Sequence, residues 1–237
     1  MEELDIEENE ILNDGVISLD GVNINENMNI SKKIYSYIKR FIDILAGIFG
    51  TLITIPLFIV IKIVYMLNKD FAPIIFKQER IGLNGKLFNI YKFRTMVVDA
   101  DKVLFETLKK DKKLRKEYNL YKKLHNDPRI TKCGKFLRKT SLDEFPQFFN
   151  VLLGQMSLIG NRPYLVREQK DMLKYEEKIL QTKPGITGLW QTSGRSEITF
   201  DERLKIEYEY SDKISFRTDI LIFLQTINVL VLKKGAK

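Results

Sequence analysis

Two adjacent carboxylates, Asp143 and Glu144, stand in "SLDEFPQFFNVLLG" just ahead of an apolar helical run. Four bases crowd the preceding segment: Lys132, Lys135, Arg138 and Lys139. Arg162 in "GNRP" and Arg195 at the end of "KPGITGLWQTSGR" lie in turn-rich stretches that can fold back toward them. Carboxylates, arginines and the free N–H groups of a helix start suit phosphoryl transfer. A carboxylate that attacks phosphorus meets a negatively charged target. At 4 Å in an effective dielectric near 20, each charge pair repels by about 4 kcal/mol. Arginines and a divalent cation must offset that. A structural reading competes. Ser141-x-x-Glu144 has capping-box spacing, acids suit a helix N-terminus, and Pro146 suits a first turn. Spacing alone favours the structural reading, and the surrounding bases shift the balance to chemistry.

Other chemistries find little material. The chain has one histidine, His125, and one cysteine, Cys133, so neither a disulfide nor a Cys/His zinc site can form within it. Any metal would be held by carboxylates, which suits Mg²⁺. His125 sits in the charged stretch "KKLHNDPR" and reads as an exposed polar residue. Cys133 reads as a small core hydrophobe. There is no GxxxxGK[ST] and no GxGxxG, which disfavours a P-loop enzyme or a Rossmann dehydrogenase.

The elements around the acid pair follow from charge and hydropathy. The 237 residues carry a formal +8, unevenly spread. Residues 1–30 hold nine acids and no Lys or Arg, so 22 acids and 39 bases remain and leave 31–237 at +17. That tail reads as mostly disordered and does not resemble a signal peptide. The basic body calls for an anionic partner: nucleic acid, a membrane surface or a phosphorylated substrate. Between Asp43 and Lys62 lie eighteen uncharged residues, twelve of them Leu, Ile, Phe or Val. They favour insertion by roughly 4–7 kcal/mol and make a helix about 27 Å long, barely enough to cross a bilayer. Pro56 frees the Leu52 carbonyl and favours a kink. Bases flank both ends, so a bent, re-entrant helix is slightly favoured over a spanning one.

Further on, two β-prone runs flank Asn84-Gly85 and predict a hairpin. Residues 99–126 predict a basic amphipathic helix. A helix is expected over roughly 167–181, and two amphipathic helices over 199–232. The predicted fold class is α+β, mostly helical. It comprises a tail (1–30), a kinked re-entrant membrane helix (31–67) and a cytosolic-face catalytic domain (68–237) with a small β-hairpin and interfacial helices.

Four segments, "KRFIDILAG", "FKQERIGLNGKLFNIYKFRTM", "DPRITKCGKFLRKTSLDEFPQFFNVLLGQMSLIGNRP" and "KPGITGLWQTSGR", together resemble the bacterial sugar transferase family of monotopic polyprenyl-phosphate hexose-1-phosphate transferases. The resemblance covers about 33–232. It implies transfer of a hexose-1-phosphate from a UDP-sugar to undecaprenyl phosphate with release of UMP, starting capsule, O-antigen or exopolysaccharide synthesis. It implies Asp143 as nucleophile, also at the metal, Glu144 as a residue that helps to bind Mg²⁺ or orients the dyad, and Arg138 and Arg162 near the phosphates. It places Lys183, Gly185, Thr187 and Arg195 in a nucleotide-side loop. It also implies a re-entrant helix bent at Pro56, at the cytoplasmic face of a bacterial inner membrane. The charged insert at 99–126 is most similar to the galactose-1-phosphate branch, with glucose or an N-acetylated hexose as alternatives.

Two positions depart from the family pattern. Ile55 replaces a serine before the kink proline, so Thr54 or Thr51 must satisfy the freed backbone. Asn161 replaces the first proline of "GPRP", which keeps a turn with less rigidity. A non-catalytic basic membrane-surface protein is the rival reading. A nucleic-acid binder is disfavoured for want of any recognition motif. The oligomeric state stays open, a homo-oligomer included.

Overall fold

The computed structural model describes residues 24–193 and 198–232; most of the acidic tail, and Arg195, lie outside them. The chain divides into two units, Met1–Ile38 and Lys39–Lys237. Helix α1 spans Ile24–Leu67 with Pro56 inside it, and so starts within the stretch assigned to the tail. Its stretch Lys32–Leu67 has a mean hydropathy of 2.6 in its most apolar window, only 17% of which is buried. Phe49, Leu52, Ile55 and Ile59 stand exposed on it. A soluble core helix would hide such side chains, so this one is long and apolar enough to cross or enter a bilayer.

Three polar residues of α1 grip the body. Arg40 donates to the Val151 and Leu152 carbonyls at 2.7 and 2.9 Å. Asp43 accepts from Ser157 Oγ at 3.0 Å and from the Leu158 N–H at 2.8 Å. Lys39 donates to the Ile159 carbonyl at 2.9 Å and pairs with Asp219.

The hairpin forms as expected. Strands β1 (Ile75–Ile81) and β2 (Leu87–Phe93) pair antiparallel from Ile75–Phe93 to Ile81–Leu87. Asn84 and Gly85 take φ of 53° and 76°, the left-handed values such a turn needs. The charged segment is two helices, α2 (Ala100–Lys110) and α3 (Lys112–Tyr121), rather than one. Asp111 divides them: it is extended, and its side chain caps the N–H groups of Lys113 and Leu114. Helix α4 (Lys132–Lys139), α5 (Gln147–Leu152) and strand β3 (Ser157–Ile159) follow. Strand β4 (Tyr164–Leu165) joins β1 as the third strand of the sheet.

The helix expected over 167–181 is broken into α6 (Gln169–Met172) and α7 (Glu176–Leu180), because Leu173 takes a φ of 50°. Strand β5 (Gly185–Thr187) pairs parallel with β3, and α8 (Leu189–Ser193) follows. Helices α9 (Phe200–Asp212) and α10 (Phe216–Leu232) match the expected pair. Thr199 closes a full capping box with Glu202 at the start of α9.

Two apolar clusters bracket the acid pair. Ile61 and Tyr65 of α1 pack with Phe93 and Leu137, and Leu142, Phe145 and Cys133 lie against them. Phe88 and Ile90 of β2 pack with Val151 and Met156. Each such buried side chain contributes roughly 1.5–3 kcal/mol, so the segment from 142 to 152 is held at both ends. Gly50 lets α5 sit against α1, since a Cβ there would fall 2.1 Å from the Phe148 ring. Thr54 Oγ1 reaches the Gly50 carbonyl at 2.7 Å and the Phe145 carbonyl at 3.2 Å.

Candidate active site

The acid pair does not cap a helix. Ser141 has a φ of 57° and makes no side-chain cap bond, so the capping box read from the spacing is not formed. Leu142–Glu144 is a single 3₁₀ turn, and Pro146 precedes α5. Freed from capping, Glu144 Oε1 accepts instead from Lys92 Nζ at 3.1 Å, a β2 side chain. Asp143 is buried in the turn. Burial pushes its carboxyl above the ordinary range, and the Glu144 charge pushes it further; Lys92 and Arg138 pull it back.

Arg138 reaches the site from the last turn of α4. Thr131 caps that helix through the Gly134 N–H at 2.9 Å. Gly134 packs on the 95–97 segment so closely that a Cβ would meet the Thr95 carbonyl at 1.9 Å. This contact lets Arg138 Nε donate to Thr95 Oγ1 at 2.9 Å. Burial lowers the Arg138 pKa, Asp143 and Asp127 raise it, and Arg129 and Arg162 lower it again. One guanidinium therefore senses both the acid pair and Arg162. Arg129 is bound to Asp127 in a two-point pair at 2.8 and 2.6 Å.

Arg162 stands half-buried before β4, its guanidinium 5.4 Å from the Trp190 ring centroid. Its Nε, itself buried, has no hydrogen-bond partner. The fold thus sets Asp143 and Glu144, on one turn, beside Lys92 of β2 and Arg138 of α4, with Arg162 close enough to act on Arg138. Lys183 is held elsewhere: burial lowers its pKa, and its charged neighbours are Arg40, Asp43 and Lys39 at the base of α1. Gly185 and Thr187 lie in β5. A Cβ on Gly185 would meet the Gly160 nitrogen at 2.1 Å, and the Thr187 hydroxyl bonds Thr226 at 2.8 Å. Both positions hold the parallel strand pair together. Arg195 lies outside the described residues. His125 is exposed and bonded to Glu117 at 2.7 Å.

Sequence reasoning passed over Lys92, which sits in "NIYKFRTM" within the hairpin signal, and Thr95 just after it. It also passed over Glu207 and Arg203, which read as an ordinary charged helix face.

Among the described residues no group of three or more His, Cys, Asp or Glu could hold a metal. Asp143 and Glu144, two adjacent carboxylates of which one has its charge disfavoured by the other, are the donor type that suits Mg²⁺.

A family model described as bacterial sugar transferase matches residues 34–233. The galactosyl transferase CpsE of Streptococcus agalactiae is 48% identical over 215 residues, which are 87% of this chain and 46% of that protein. The undecaprenyl-phosphate galactose phosphotransferase of Salmonella typhimurium is 42% identical over 88% of this chain and 43% of its own length. The UDP-glucose:undecaprenyl-phosphate glucose-1-phosphate transferase of Escherichia coli K12 is 36% identical over 80% and 39%. The chain spans less than half the length of these curated relatives.

Proposed function

Because the chain belongs to the bacterial sugar transferase family, we propose that it moves a hexose-1-phosphate, galactose-1-phosphate first among candidates, from a UDP-sugar to undecaprenyl phosphate. The observation that carries this reading is Asp143, buried beside Glu144 and flanked by Lys92 and Arg138, on a turn packed against the long apolar helix. Two relatives named for galactose favour that sugar, and one named for glucose keeps the alternative open.

In the first step an Asp143 carboxylate oxygen attacks the sugar-bearing phosphorus. The bond from that phosphorus to the bridging oxygen breaks and UMP leaves with the electron pair. In the second, a phosphate oxygen of undecaprenyl phosphate attacks the same phosphorus. The lipid-linked sugar diphosphate forms and the Asp143 carboxylate is regenerated. Arg138 and Lys92 lower the repulsion between this carboxylate and the incoming phosphates. Asp143 and Glu144 would hold Mg²⁺, which supplies charge neutralisation on the diphosphate. Arg162 presents a donor to the same anionic groups. The α1 segment around Pro56 dips into the cytoplasmic face of the bacterial inner membrane and returns, in keeping with the bases at both its ends.

Incubation of the purified chain with UDP-hexoses labelled in the sugar-linked phosphate, without lipid, tests the chemistry. The expected result is label trapped on protein and absent from Asp143→Asn; no trapped label, with transfer only when donor and lipid are both present, overturns the two-step route. Cysteines placed at Ser31 and Asn68 in a Cys133→Ser background should both react from the cytoplasmic side. Opposite sidedness would mean a spanning helix.

A further inference from the structure

Beneath Arg162 lies a buried polar cluster that the reaction above does not use. Glu207 of α9 is 1% exposed, and its Oε1 accepts the Arg162 backbone N–H at 3.1 Å. Arg203, one turn earlier on the same helix, is buried as well. Its guanidinium lies 5.2 Å from the Trp190 ring centroid, 5.1 Å from Tyr164 and 4.5 Å from Phe200. Arg162 and Arg203 therefore share one indole, and both feel the Glu207 charge. Glu168 stands 4.0 Å from Arg203. Arg80, next to Glu168 and Arg162, donates to the Pro163 carbonyl at 3.0 Å. Burial, more than the Arg162 charge, brings the Arg80 pKa down to about 9, which leaves it cationic at neutral pH.

An interior carboxylate is a poor choice for stability alone. Replacing a whole buried ion pair by apolar groups of the same shape is often neutral or stabilising. Glu207 stands at a point where its charge acts on a half-buried arginine with an unpartnered Nε. Building on the transfer reading, we propose that Glu207 is a positioning residue: its carboxylate fixes the 160–163 turn and draws the Arg162 guanidinium onto Trp190, in the orientation that receives the substrate's phosphate. Arg203 fills the other approach to the indole and keeps Arg162 from sharing it differently.

The acid is also tuned. Burial pushes Glu207 up to about 7, while Arg203, the Tyr164 hydroxyl and Arg162 pull it back. These three are the charged or titratable groups that face it, Arg203 from its own helix, Tyr164 from β4 and Arg162 from the turn. Below neutrality Glu207 takes up a proton and its hold on Arg162 slackens.

The test uses the full chain with UDP-galactose, UDP-glucose and UDP-N-acetylglucosamine as donors and undecaprenyl phosphate as acceptor. Glu207→Gln keeps an oxygen for the Arg162 N–H and removes only the charge. At pH 8 it should lose about tenfold in kcat/KM without a lower melting temperature. It should also lack the acidic limb near pH 7 that wild type shows. In an Arg162→Lys background, which keeps a cation but not the guanidinium plane, the same substitution should lose less than twofold. Glu207→Asp should retain the pH limb. Loss of the same factor in both backgrounds, or Glu207→Gln within twofold of wild type, overturns the inference while the transfer reading stands. A wild-type chain inactive with all three donors sinks the transfer reading, and the positioning role with it.

Discussion

The turn at Asp143–Glu144 and the cluster under Arg162 both bury a carboxyl whose pKa is raised, yet they are built oppositely. Around Asp143 the counter-charges reach in from β2 and α4, and a second acid adds to the strain. Around Glu207 burial alone raises the pKa, and every neighbouring group stabilises the charge. Aromatic rings wall in the second cluster, whereas Glu144 and Lys92 stay partly open to solvent. The difference fits the two roles proposed for these acids. A carboxylate destabilised by its own neighbour gains by binding a cation or attacking phosphorus. A carboxylate walled in beside cations, with one oxygen bonded to a backbone N–H, suits holding something else still.

The sharpest break comes from neutralising each acid in turn. Asp143→Asn should abolish the trapped intermediate and reduce transfer by about 10⁴-fold or more, the scale for loss of a nucleophile. Radiolabelled product formation checks this. If Asp143→Asn lost no more than Glu207→Gln, the two acids would not differ in kind.

Gly134→Ala comes next, for it forces a Cβ into the Thr95 carbonyl. Overpacking of this kind costs typically about 1–3 kcal/mol, and Arg138 should shift with α4. A lower denaturant midpoint together with a raised KM is expected; a loss of stability with unchanged KM would separate the helix from the site. Lys92→Met should then raise KM for the UDP-sugar several-fold, because the cation that pairs with Glu144 at 3.1 Å is removed beside the diphosphate.

Glu207 sharpens the contrast through stability. Its pKa is raised from 4.5 in the unfolded chain to about 7 in the folded one, so between those values the folded chain binds more protons. The group's contribution is full below pH 4.5 and is lost as pH rises through 7. Glu207→Gln should therefore melt higher than wild type at pH 8, and the gain should vanish by pH 4.5 in melting curves. The smallest effect is reserved for His125→Ala, within about 0.5 kcal/mol in stability and twofold in activity.

Much of this was legible beforehand because it rests on local rules. Asn84-Gly85 dictates the hairpin, the uncharged run dictates α1, and the bases near Asp143 single out the candidate site. What escaped depends on distant contacts. Ser141 and Glu144 have the right spacing for a capping box, but a left-handed Ser141 and a lysine from β2 override it. Asp111 ends one helix and caps the next, which periodicity cannot register. Glu207 lies in "KIEYEY", where its alternation with other charges reads as a wet surface. Only the folding of β4 and α8 against α9 turns that surface inward.

The grip of Lys39, Arg40 and Asp43 on the carbonyls and amide at 151–159 has a mechanical consequence. These bonds lock the rotation and the register of α1, for slippage by a single turn, about 5.4 Å, would break all of them. If α1 sits in the bilayer as proposed, its immersion sets the altitude of Asp143 above the hydrocarbon. On that reading the chain need not search for the headgroup of the proposed lipid acceptor; it is moored at the height where that headgroup floats.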